Sequence, residues 1–220
     1  AAQDGEVEIT ILEDVDLCIA RGESTAIIGK SGSGKSTLLH IAGGLDSPTS
    51  GKVLCNGVDF ATLDDKRRSS LRNLHIGFIF QANLLLEDFT AVENVMAPAM
   101  IAGRTARDSR PRALSLLERL GLGDRTHHLP SQLSGGEKQR IAICRALMNE
   151  PDVIMADEPT GALDEENAQE VERLLLDLVK EEGRSLLLVT HNNDFAYRCD
   201  NVYLLKNHAL SLEKGLGLDV

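Results

Sequence analysis

Basic charge is in short supply in this chain. Its 23 lysines and arginines are outnumbered by 34 aspartates and glutamates, for a net charge of −11. A protein that coats nucleic acid needs a positive footprint to displace counterions, so the balance argues against nucleic acid as a partner. Cysteine occurs four times (Cys18, Cys55, Cys144, Cys199) with no C-x-x-C pair. That spacing offers neither a disulfide framework nor a zinc site, and reads as reduced, mostly packed thiols in the cytosol. No apolar run reaches the roughly 18 to 20 residues a membrane helix requires. Leu186-Leu187-Leu188-Val189, among the most apolar stretches, has only strand length. The opening residues Ala1-Ala2-Gln3-Asp4-Gly5 lack a basic segment followed by an apolar one, so no secretory leader is expected. The absence of an initiator Met fits a trimmed start. Tryptophan is absent and tyrosine occurs only twice.

What remains is the composition of a globular domain, 42% hydrophobic and 26% charged over 220 residues, long enough for a substantial core. Residues 6–28 predict β-structure, with Val7, Ile9 and Ile11 alternating and Ser24-Thr25-Ala26-Ile27-Ile28 following. Thr37 to Ala42 has helical character and stops at Gly43-Gly44. Strands are expected around 52–56 and 75–80, and a helical block from 82 to 148. Val153-Ile154-Met155-Ala156 reads as a buried strand, 168–182 as a helix ending at Gly183, and 186–190 as another buried strand. Strands alternating with helices predict an α/β core with a parallel sheet, the helical block being inserted into it.

Between the first apolar strand and its helix lies Gly29-Lys30-Ser31-Gly32-Ser33-Gly34-Lys35-Ser36-Thr37. It fits G-x-x-x-x-G-K-[ST], the loop whose glycines let backbone N–H groups close around phosphate oxygens. Lys35 supplies a point charge to the outer phosphates, the Ser36 hydroxyl can ligate Mg²⁺, and the helix start adds a positive dipole end. Asp157-Glu158 closes the strand that begins at Val153, where an acid can hold Mg²⁺ and a second carboxylate can polarise the attacking water. Leu133-Ser134-Gly135-Gly136-Glu137 opens a further helix. Locally it is a capping box, Ser134 with Glu137 three residues on, and two glycines at a helix start also make an anion site.

The phosphate loop, this second glycine-rich pentapeptide and Asp157-Glu158 together resemble the nucleotide-binding subunits of ATP-binding cassette (ABC) transporters over almost the whole chain. The resemblance implies a P-loop NTPase fold: a RecA-like core with a parallel sheet, an N-terminal antiparallel β subdomain and an inserted α-helical subdomain. Residues 1–81 and 149–220 would form the core and its β subdomain, and 82–148 the helical subdomain carrying the signature. It implies ATP hydrolysis with Mg²⁺ held by Ser36, Gln81 and Asp157, and Glu158, Gln81 and His191 acting on the γ-phosphate or its water. Ser134–Glu137 and Asp164 would serve a nucleotide held by a second copy of the chain, in a head-to-tail dimer. Two such copies would sit beneath integral membrane permease subunits at the cytoplasmic face of the inner membrane. One departure stands out. The family's adenine-stacking aromatic would fall near Ala2, and neither tyrosine lies there.

Residues 80–95, beginning Phe80-Gln81-Ala82-Asn83, look like the lipoprotein-releasing members, and also resemble the macrolide-exporter and cell-division ATPases. Gly161-Ala162-Leu163-Asp164 is closer to the exporter form. The apolar stretch 92–101, with Met96, Pro98 and Met100, is either core or a permease docking surface. Arg104, Arg107, Arg110 and Arg112 read as a solvated helix face, with anionic lipid as the other reading. A DNA-repair ATPase with the same head chemistry is the rival class. Its long coiled coil between the motifs, or its zinc modules, has no counterpart here.

Overall fold

A computed structural model of the chain describes residues 9–215. The elements run β1 (Ser24–Ile28), α1 (Lys35–Ala42), β2 (Leu54–Cys55), β3 (Val58–Asp59), α2 (Asp65–His75) and β4 (Ile76–Ile79). The helical block follows as α3 (Ala91–Ile101), α4 (Ala106–Arg119) and α5 (Gly135–Leu147). Then come β5 (Val153–Asp157), α6 (Glu165–Glu182), β6 (Ser185–Val189), α7 (Asn193–Ala196), β7 (Asn201–Lys206) and β8 (Ala209–Lys214).

Six strands form one sheet in the order β4-β5-β6-β1-β7-β8. All neighbours are parallel except β7 and β8. Every residue of β1 and β6 is buried, as parallel strands covered on both faces require. The strand period of two divides the core. Ala26, Ile28, Ile154, Ala156, Leu186 and Leu188 join the side chains of α3 to α6 on one face. Ile27, Met155, Leu187 and Val189 join Leu38 and Leu39 of α1 on the other. The helical block meets the sheet through Gly77 of β4, where a Cβ would lie 2.5 Å from the Ala146 carbonyl oxygen on α5.

Several expectations need refining. Of the antiparallel β-structure expected near the N-terminus, the described residues form only the short β2–β3 hairpin and no strand from 9 to 23. Leu12, Val15, Leu17 and Ile19 nonetheless pack against the core below α1. The chain there is tied by single bonds, such as Glu13 N–H to the His208 carbonyl at 2.8 Å, and not by a ladder. Helix α2 is unexpected, because it buries no residue and has no apolar period to read. The apolar side of 92–101 is largely core: Val92, Val95, Met96 and Ala99 are buried, and its exposed apolar residues are Met100 and Ile101 at the end of α3. Arg112 leaves the supposed solvated face. Its guanidinium donates to the carbonyls of Leu147 and Met148 and pairs with Glu150 at 2.8 Å.

Candidate functional site

Parallel α/β sheets gather their loops at the carboxyl ends of the strands, and here three neighbouring strands deliver the site. β1 runs into the phosphate loop, β5 ends in Asp157, and β6 ends just before Thr190 and His191.

The phosphate loop closes on itself. Gly34 caps α1 at a φ of 101°, a left-handed conformation in which a side chain would be strained. No side chain caps α1 and its first turn holds no acid. By contrast, Asp64, Thr105, Ser134, Asp164 and Asn192 each accept from a backbone N–H at the start of α2, α4, α5, α6 and α7. The donors at the start of α1 are thus left for an anion. Lys35 is buried, and its ammonium donates to the carbonyls of Gly29 at 2.9 Å and Lys30 at 3.1 Å, which hold it over the loop. A Cβ on Gly29 would meet the Leu205 carbonyl at 2.6 Å, so the terminal hairpin presses on the loop from behind. Ser33 Oγ and Asp157 Oδ1 are buried with no hydrogen-bond partner among the described residues. Buried polar atoms are normally paired, so these two fit a phosphate oxygen and a hydrated cation respectively. The donor set is right for a nucleoside triphosphate with Mg²⁺. Among the described residues no cluster of three or more His, Cys, Asp or Glu forms a stand-alone metal site.

Glu158 follows β5 in the left-handed region, at φ 45°. Its backbone N–H donates to the Val189 carbonyl at 2.8 Å, which locks the turn to the end of β6. The carboxylate lies 2.8 Å from His191 Nδ1 and accepts from the Thr190 hydroxyl at 3.2 Å and the His191 N–H at 3.3 Å. Glu158 and His191 are therefore brought together, with Glu158 mostly buried and His191 exposed. The sequence reading does not single out Thr190; its position between a buried strand and His191 is the available signal. Gln81 is exposed just past β4, and a Cβ on Gly161 would lie 2.9 Å from its Nε2, so it borders the turn after Glu158.

The signature lies elsewhere in the chain. Ser134 accepts from Glu137 N–H at 3.3 Å, and the Glu137 carboxylate accepts from Ser134 N–H at 2.8 Å. Arg125 adds an ion pair at 2.8 Å. The Ser134 N–H first, and Arg125 next, hold the Glu137 carboxyl below its usual range. A Cβ on Gly136 would collide with the Asn167 side-chain oxygen, so the signature turn sits against the first turn of α6. Asn167 in turn donates to both oxygens of Asp164, at 3.0 and 2.7 Å. Its bonds hold the exposed Asp164 carboxyl low. No hydrogen bond or ion pair joins 133–137 to 29–37 among the described residues. Ala2, the expected adenine-stacking position, lies outside the described residues.

The pattern of the ABC transporter family matches residues 12–161. The lipoprotein-releasing system ATP-binding protein LolD of Legionella pneumophila (strain Paris) is 48% identical over 207 residues, covering 94% of this chain and 91% of that one. The macrolide export ATP-binding/permease protein MacB of Shewanella sp. (strain ANA-3) is 50% identical over 205 residues, but this chain spans only 31% of it. Among solved structures, the ATP-binding cassette MJ0796, a dimer in a post-hydrolysis state bound to ADP and Pi, superposes with a TM-score of 0.89. It is 39% identical, with 99% of this chain and 96% of that one covered. With its phosphate loop, its signature and this likeness along nearly its whole length, the chain belongs to the ABC transporter family as one of its ATP-binding cassettes.

Proposed function

We propose that this cassette is the ATP-hydrolysing subunit of a lipoprotein-releasing transporter, working as a head-to-tail pair beneath membrane permease subunits. The observation that carries the chemistry is the Glu158–His191 contact beside the phosphate loop. Similarity to LolD over more than nine-tenths of both chains supports the substrate class.

Gly29 to Thr37 wrap the triphosphate with backbone N–H donors, and Lys35 neutralises its outer phosphates. Ser36, Asp157 and Gln81 would hold Mg²⁺, which would supply positive charge to offset that of the phosphates. Glu158 orients and polarises the attacking water, and His191, fixed on the Glu158 carboxylate, faces the γ-phosphate. Positioning and charge carry nearly all of such a reaction, so the rigid links of Glu158 to Thr190, His191 and Val189 matter as much as its basicity.

The signature contacts α6 and not the phosphate loop, which fits a role toward a partner's nucleotide, with Asp164 at the seam. No described helix is long and apolar enough to cross a membrane, so attachment to the cytoplasmic face of the inner membrane would run through permeases. A cleft of about 400 Å³ between α2, β4, α3 and α5, lined by Leu45, Phe78, Phe80, Leu84, Pro98 and Ile101, is the surface we assign to a permease helix. A macrolide exporter is the second reading, favoured by the 50% identity to MacB. Co-purification separates the two by the membrane subunit recovered.

The test of the chemistry is Glu158→Gln. It should bind ATP as the parent does, lose turnover by at least about a hundredfold, and accumulate as an ATP-bound dimer on size exclusion. Hydrolysis at the parental rate would refute the role given to Glu158.

A further inference from the structure

Helix α6 buries a carboxylate that the reaction does not use. Glu172 is 6% exposed, although it stands on a helix whose other acids face water. A buried carboxylate is costly unless both oxygens are paired. Both are. Oε1 accepts from the Asn192 side-chain amide at 3.0 Å, and Oε2 from the Arg198 guanidinium at 2.8 Å. Burial pushes the Glu172 carboxyl up, and Arg198 opposes it.

Asn192 belongs to the turn that follows β6 and is the neighbour of His191, while Arg198 lies just beyond α7. The Asn192 amide has only one workable orientation. A carboxylate can only accept, so the NH₂ must face Glu172. The amide oxygen is then directed at the N–H of Phe195, which it accepts at 3.1 Å to cap α7. The Asn192 backbone N–H meanwhile donates to the Thr190 hydroxyl at 3.0 Å, and that hydroxyl donates to Glu158. Residues on both sides of His191 are therefore pinned, one to Glu158 and the other to Glu172.

We infer that Glu172 is a positioning residue for hydrolysis: by holding the Asn192 amide it sets the His191 turn against Glu158. This rests on the ATPase reading above. It departs from a purely structural role, in which Glu172 would only fasten α6 to α7.

Steady-state hydrolysis of ATP by the whole chain decides the matter, with melting temperature recorded for each variant. Glu172→Met should lower kcat about tenfold while leaving KM for ATP within about twofold, since the phosphate loop is untouched. Glu172→Leu, which likewise offers Asn192 no acceptor, carries the same test should the methionine variant fail to fold. Asn192→Asp should be equally impaired, because two carboxylates would then face each other. The combined variant Glu172→Gln with Asn192→Asp exchanges acid and amide. The amide introduced on α6 can donate to the carboxylate introduced beside His191 and still accept from Arg198, so kcat should return to within about twofold of the parent. A fall in melting temperature with kcat unchanged in Glu172→Met, or no rescue in a folded exchange variant, overturns the inference. A parent chain that turns over no ATP overturns the ATPase reading instead.

Discussion

Glu158 is held in a conformation that its side chain does not favour. At φ 45° it sits where residues other than glycine, asparagine and aspartate are uncommon, fixed by the bond from its N–H to Val189. Strain of this kind persists where the surroundings over-determine it, and it clusters at functional sites. Substitutions at 158 should therefore separate into two groups by shape. Glu158→Gln should unfold in urea at nearly the parental midpoint. Glu158→Val, whose branched Cβ clashes in the left-handed region, should lose a further ~1–3 kcal/mol. Equal midpoints for the two variants would mean that the turn relaxes freely and is not pinned by β6.

At the scale of elements, α5 rests on a capping box that also carries the signature. The Glu137 carboxyl is held low by the Ser134 N–H and by Arg125, so its contribution to stability is full above the ordinary glutamate value near about 4.3. That contribution is lost as pH falls through the lower folded-state value. Glu137→Gln keeps an acceptor for Ser134 but gives up the charge, and should cost about 1 kcal/mol at pH 7. The gap should begin to narrow as pH falls below the ordinary glutamate value, in denaturant titrations run side by side. A gap independent of pH would assign the loss to packing. The same scale shows what the sequence disclosed. Buried parallel strands announced themselves as apolar runs flanking the glycine motifs, because burial on both faces removes polar residues. The β7–β8 hairpin stayed hidden, since its turn is Asn207-His208, both at positive φ, and not the asparagine–glycine pair that usually marks such turns. Helix α2 stayed hidden for want of any buried residue. Glu172 is not singled out by the sequence, because nothing local tells a paired interior carboxylate from an exposed one.

For the molecule as a whole, the arrangement sets a stoichiometry. The phosphate loop lies on one surface region and the signature, against α6, on another, so a head-to-tail pair would build each site from two chains. Lys35→Ala and Ser134→Arg chains should each be inactive alone. Mixed in equal amounts they should recover about a quarter of parental turnover, half the pairs being mixed and each mixed pair holding one intact site, if sites act independently. Recovery to the parental rate would mean that the signature serves its own chain.

Helix α6 joins these scales. Its 18 residues make a rod of about 27 Å, with Asn167 against the signature glycine at one end and Glu172 on the His191 turn along its length. At the far end Glu182 is paired with Arg119 of α4. A lever of that length needs a tilt of only about two degrees to carry its tip about 1 Å, more than a hydrogen bond tolerates. With Glu182 as the pivot, Glu172 would move about two-thirds as far as the Asn167 end, so small displacements where two copies meet would reach the His191 turn in large part. Timing of the chemical step would then be written into the stiffness of a single helix.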